Sequence, residues 1–126
     1  MPAFYKIDKD RRLVLTTVWG VFTFADAVSH QRKLAEDPDF DPSFSQIADF
    51  TQVTQFDVTT DDIHRFAQGS IFSPVSRRAI LMPNEAAFGI GRMYEILRGL
   101  DGEKGIRVFR TLEEALDWVF PKSATA

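Results

Sequence analysis

Ile47-Ala48-Asp49-Phe50-Thr51-Gln52-Val53-Thr54-Gln55-Phe56-Asp57-Val58-Thr59-Thr60-Asp61-Asp62-Ile63 is the stretch whose reading decides the fold. Ile47 to Phe50 has the apolar run of a short buried strand, with Asp49 near its end. The polar run that follows reads as a loop. Thr59-Thr60-Asp61-Asp62 then has the form of a capping box, in which a hydroxyl accepts a helix-start N–H and the carboxylate three residues on reaches back. Strand, loop and capped helix make one step of an α/β alternation. In open α/β sheets, ligands and partners meet the loops at the carboxyl ends of the strands. The candidate interaction residues are therefore Asp49, Phe56, Asp57, Thr59, Thr60 and Arg65.

The same grammar extends in both directions. Ala3–Ile7 and Leu13–Trp19 are rich in β-branched and aromatic residues, with the polar turn Asp8-Lys9-Asp10-Arg11 between them, so they read as a hairpin that Gly20 ends. Thr23-Phe24-Ala25-Asp26 is another capping box. The helix it starts carries Phe24, Ala27, Val28, Leu34 and Ala35 at helical spacing, up to Asp37-Pro38-Asp39. After the central stretch, a helix with Ile63, Phe66 and Ala67 inward stops near Gly69. Arg78–Met82 is a strand cut by Pro83. Asn84 caps a helix with Ala87, Ile90, Tyr94 and Leu97 on one stripe and Met93 and Leu100 beside it. Ile106–Phe109 is the last strand, and Thr111-Leu112-Glu113-Glu114 opens a last helix with Leu112, Ala115, Leu116 and Val119 inward. The order ββαβαβαβα predicts a single α/β domain over residues 1–121, with a five-stranded mixed sheet: an antiparallel first hairpin, then parallel β-α repeats with right-handed crossovers. Residues 122–126 read as a disordered tail.

Composition narrows the function classes. The chain has 126 residues, a net charge of −3 and no cysteine. Phosphate neutralisation needs clustered Lys and Arg, which are absent, so nucleic acid is not an expected partner. Without Cys, disulfides and thiolate catalysis are excluded, and a cytoplasmic location is expected. The first residues lack the apolar run of a signal peptide, and no segment reaches the roughly 20 apolar residues of a membrane span.

Residues that carry chemistry elsewhere read here as structure. Asp61 and Asp62 sit where the helix macrodipole favours carboxylates, and the Asp49–Asp62 spacing is not that of an EF-hand, so no metal site is expected. His30 and His64 read as surface histidines on separate helices. No GxSxG elbow or SxxK pair supplies a serine nucleophile. Gly89-Ile90-Gly91 lacks the context of a phosphate loop, and its glycines read as letting a helix approach the sheet closely. Arg92 and Arg98 read as an exposed helix face, and Arg77-Arg78 as a solvated strand end. No cofactor is expected. Twelve Phe residues are unusual in a chain of this length. Phe50, Phe56, Phe66, Phe72, Phe88 and Phe109 read first as core, and otherwise as the wall of an apolar pocket.

The element order resembles the SpoIIAA-like or STAS superfamily, which includes anti-sigma-factor antagonists and small bacterial STAS/SEC14-like proteins. The residues that carry the resemblance are the hairpin ending at Gly20, Asp49-Phe50-Thr51 to Asp57, Gly89-Ile90-Gly91-Arg92-Met93-Tyr94, and Val108-Phe109-Arg110-Thr111-Leu112-Glu113-Glu114-Ala115-Leu116-Asp117-Trp118. The resemblance implies a non-enzymatic regulatory module that binds a protein partner or a second copy of itself, homodimer included, through the Asp57–Arg65 loop and helix. Its SEC14-like side implies the alternative, a carrier or sensor of a small apolar, lipid-like ligand. Phosphorylatable relatives place a serine directly after the second of two aspartates. Here Asp49 and Asp57 match the aspartates, and Val58 stands at the serine position. Thr59 is explained as a helix cap, so no phospho-switch is expected.

Overall fold

A computed structural model of the chain describes residues 3–121, so the expected tail, 122–126, lies outside the described residues. The elements run β1 (Ala3–Asp8), β2 (Leu13–Thr23), α1 (Phe24–Glu36), β3 (Ser45–Asp57), α2 (Thr60–Phe66), β4 (Arg78–Leu81), α3 (Glu85–Leu100), β5 (Ile106–Phe109) and α4 (Leu112–Val119). The five strands form one sheet in the order β1-β2-β3-β4-β5. β1 and β2 are antiparallel, and each later pair is parallel. This is the expected single α/β domain with a five-stranded mixed sheet.

Strand alternation assigns the two faces. Leu13, Ile47, Ala79 and Leu81 point to one side, where Ala115 and Val119 of α4 cover them. Val14, Thr16, Gln46, Ala48, Arg78 and Ile80 point to the other, which α1, α2 and α3 cover. One residue of slip would exchange these sets, so the apolar alternation fixes the register. α3 lies close to the sheet because Gly91 faces it. A Cβ there would stand 3.1 Å from the Val108 methyls and 3.3 Å from the Met82 methyl.

The caps follow the sequence. The Thr23 and Thr59 side chains accept the N–H groups of Asp26 and Asp62, whose carboxylates return to the cap backbone. Asn84 accepts from Ala87 N–H at 3.0 Å. At α4 the box is half made: the Thr111 hydroxyl accepts from Glu114 N–H, while the Glu114 carboxylate accepts the Thr111 hydroxyl instead of the cap backbone.

Four expectations are corrected. First, Thr51–Asp57 is not a loop. β3 continues through it to Asp57, and β2 continues past Gly20 to Thr23. Their extensions pair Gly20 with Val53, Val21 with Gln55, Phe22 with Phe56 and Thr23 with Asp57. Gly20 does not end β2; it takes φ +70° at a register shift, a conformation glycine adopts without a Cβ penalty. Second, the α1 stripe is narrower than expected, with Leu34 buried and Ala35 exposed. Third, the α3 stripe is rotated: Ala87, Gly91 and Arg98 are buried, whereas Leu100 is 81% exposed. Fourth, of the four arginines assigned to solvent at β4 and on α3, Arg92 is exposed and the other three are not. Arg78 and Arg98 are buried, and Arg77 packs at 4.3 Å over the Trp118 ring and donates to the Trp118 carbonyl.

Candidate functional site: a phenylalanine-walled cavity

The α1–α3 face of the sheet is not packed solid. It holds a partly open cavity of about 140 Å³. Phe22, Phe50, Phe56, Phe66 and Phe72 stand in its wall, with Met82 and Ile90 from beneath and above. The rings meet edge to face: Phe22 and Phe50 at 5.2 Å, and Phe24 and Phe66 at 6.4 Å. Such contacts suit the ring quadrupoles and hold the wall in shape. The residues come from β2, β3, α1, α2, the loop after α2, β4 and α3, so the whole face contributes.

A polar chain runs along one side of this cavity. Arg78 Nε donates to Gln46 Oε1 at 3.1 Å, which orients the Gln46 amide. Gln46 Nε2 then donates to the Thr16 hydroxyl at 3.1 Å. The Thr16 oxygen lies 3.2 Å from His30 Nε2. The Thr16 hydroxyl can donate to His30 Nε2 or accept from it, according to which imidazole nitrogen carries the proton. Burial, with a smaller contribution from the nearby Lys33 charge, lowers the His30 pKa to about 4, so the ring is neutral near pH 7. His30 is therefore not a surface histidine as expected: it lines the cavity and is stacked edge-on by Tyr5 at 5.6 Å. His64 is exposed.

Beyond Arg78 the chain becomes ionic. Arg78 Nη1 donates to Glu103 Oε2 at 3.0 Å, and Arg98 Nε donates to Glu103 Oε1 at 2.9 Å. Glu103 is 1% exposed. Arg98 also donates to the Ala67 carbonyl and to Asp101. One buried carboxylate thus holds two guanidiniums. Both arginines keep their charge: burial works against it, and for Arg78 the Tyr94 and Glu103 groups more than offset that, as Glu103 and Asp101 do for Arg98. No buried side-chain nitrogen or oxygen among the described residues lacks a partner.

The residues singled out from sequence scatter around this site. Phe56 is half-buried and belongs to the cavity wall, packed against Phe50 and Phe22. It is not displayed in a loop. Asp49 lies on the α4 face of the sheet, where its carboxylate accepts from the N–H and hydroxyl of Thr51. Asp57 ends β3 opposite Thr23. Thr59 is the α2 cap, and Thr60 is the first residue of that helix. Arg65 is exposed, with its guanidinium 4.8 Å over the Phe24 ring. The cavity draws only Phe56 from this set. Among the described residues, no group of three or more His, Asp or Glu side chains could hold a metal ion, and no helix is long and apolar enough to cross a membrane.

Compared with known proteins, the chain matches no family profile and no curated protein. Among solved structures it is similar to an uncharacterised protein of the DUF3478 family, with a SpoIIAA-like fold, from Shewanella loihica PV-4. The two are 17% identical, superpose with a TM-score of 0.58, and cover 93% of each chain. The strand order, the antiparallel first hairpin and the single-sheet α/β architecture are those of the SpoIIAA-like fold.

Proposed function

We propose that this chain is a non-enzymatic binding module that takes a small apolar molecule into the cavity between the sheet and α1–α3. The observation that carries this reading is the cavity itself, about 140 Å³ and walled by Phe22, Phe50, Phe56, Phe66 and Phe72. Natural cores are packed to crystal-like density and spare few voids larger than a water molecule. A space of about 150 Å³ lined by apolar side chains is enough to hold benzene. The occupant is then one ring or a short acyl chain rather than a full-length lipid. Titrating 4-fluorotoluene into the protein, followed by fluorine NMR and by the methyl signals of Met82, Ile63 and Ile90, tests the reading. Saturable shifts confined to these residues are expected, and none up to the solubility limit would overturn it.

A second reading is a protein-interaction or self-association module. A specific feature favours it: Phe4 and Trp19, 55% and 38% exposed, pack together at 5.7 Å, with Val21 exposed nearby on β2. Sedimentation of the wild type and Trp19→Ser over a concentration series decides it. Concentration-dependent assembly lost in the variant supports the reading, and a monomer throughout removes it.

A further inference from the structure

The polar end of the cavity is built of donors. Arg78 uses Nε and Nη1 in its bonds to Gln46, Ser70, Tyr94 and Glu103. Its second terminal nitrogen, Nη2, donates to no protein atom among the described residues. Since no sealed nitrogen or oxygen lacks a partner, Nη2 is reached from open space, and Arg78, only 8% exposed, lines the cavity. The Ser70 hydroxyl already accepts from Arg78 Nη1 at 3.3 Å and from Phe72 N–H at 3.1 Å, so its lone pairs are engaged and its proton remains to be given. The Tyr94 hydroxyl accepts from Arg78 Nη1 at 3.4 Å and likewise keeps its proton to donate. Ser70 and Tyr94 both line the cavity. Three donors therefore gather around one guanidinium, and its countercharge, Glu103, is shared with Arg98.

Resting on the binding-module reading, we infer that the ligand is a small monocarboxylate, a single ring or short chain whose carboxylate meets Arg78 Nη2, Ser70 and Tyr94 and whose apolar body lies among the phenylalanines. A carboxylate offers only acceptors, which is what three donors need. A guanidinium makes stronger, charge-assisted hydrogen bonds to a negative head than to a neutral one. An ammonium head would oppose donor to donor. The phenylalanine side of the space takes the apolar body of the ligand.

The test compares 4-fluorobenzoate with 4-fluorotoluene, two probes of nearly equal size. Fluorine NMR titrations use the wild type, Tyr94→Phe and Ser70→Ala, variants that each remove one hydroxyl and leave the Arg78–Glu103 pair intact. Fluorobenzoate should bind about tenfold or more tightly than fluorotoluene, as expected for hydrogen bonds to a charged group. Each variant should weaken fluorobenzoate several-fold and leave fluorotoluene unchanged. If fluorotoluene binds as well as fluorobenzoate, or if neither variant changes fluorobenzoate binding, the carboxylate inference fails while the cavity reading stands. If neither probe binds, both fail.

Discussion

Phe22 and Phe56 stand opposite each other near the end of the β2–β3 ladder, their ring centroids 6.3 Å apart at 70°. Phe50 completes the group, 5.2 Å from Phe22 and 6.0 Å from Phe56. Phe56→Ala removes one side of this cluster. Because the ring is half-buried, the loss should be about 2 kcal/mol, below the 3–5 kcal/mol of a fully buried Phe. Urea denaturation reads it. A variant as stable as the wild type would mean that Phe56 is not part of the core.

Gly89 and Gly91 sit two residues apart on α3 in opposite surroundings. A Cβ on Gly89 meets nothing within 4 Å, whereas one on Gly91 meets Val108 and Met82. Gly89→Ala should stabilise the protein by about 0.5–1 kcal/mol through helix propensity. Gly91→Ala should cost about 1 kcal/mol or more as α3 is pushed from the sheet. Thermal melts of the two variants should move in opposite directions.

His30 makes stability depend on pH. Its pKa is about 4 in the folded protein, against an ordinary 6.5. Between those values the unfolded chain binds more protons, so folding is fully supported above pH 6.5 and loses support as pH falls toward 4. The loss reaches up to about 3 kcal/mol. His30→Gln should flatten the wild-type slope across pH 4–6.5 and leave it unchanged above. Asp8, Asp37 and Asp41, whose carboxyls their hydrogen bonds hold below the usual value, act in both proteins at lower pH and cancel in the comparison.

Glu103 is the buried carboxylate that pairs with two buried guanidiniums. Glu103→Gln keeps the shape and removes the charge, and breaking such a pair costs about 3–5 kcal/mol. Asp101, which pairs with Arg98 from a position 62% exposed, should cost below about 1 kcal/mol on replacement by Asn. Equal effects at the two positions would refute the buried-network description.

The sequence was most legible where local physics acts alone. Helix starts at Thr23, Thr59, Asn84 and Thr111 are set by a hydroxyl or amide within three residues, so they could be placed from the chain. The order of elements along the chain followed from alternation. The end of β3 was harder. Thr51, Gln52, Thr54 and Gln55 are polar because they are exposed, and their strand conformation comes from pairing with β2, a partner about 30 positions away. The site was harder still. Arg98 falls on the face marked by Ala87, Gly91 and Tyr94, a spacing that signals burial, but a charge on that face is explained only by Glu103, which the chain brings to it from beyond the end of α3. Arg78 has the same character: it follows Ser76 and Arg77 at the start of β4, and its neighbours in space are the cavity and the carboxylate.

β2 and β3 are 11 and 13 residues long, whereas β4 and β5 have four residues each. Among the described residues, no third strand flanks the two beyond Val18 and Asp49, since β1 pairs as far as Val18 and β4 along Gln46–Asp49. This ribbon carries Phe22 and Phe56. Its consequence is kinetic. A two-stranded segment with both edges bare opens at lower cost than the sheet beneath it, as a local fluctuation rather than global unfolding. The wall of the cavity can thus part while Val14, Ile47 and Ala79 stay paired, and if the proposed ligand binds there, opening of that ribbon offers it a way out.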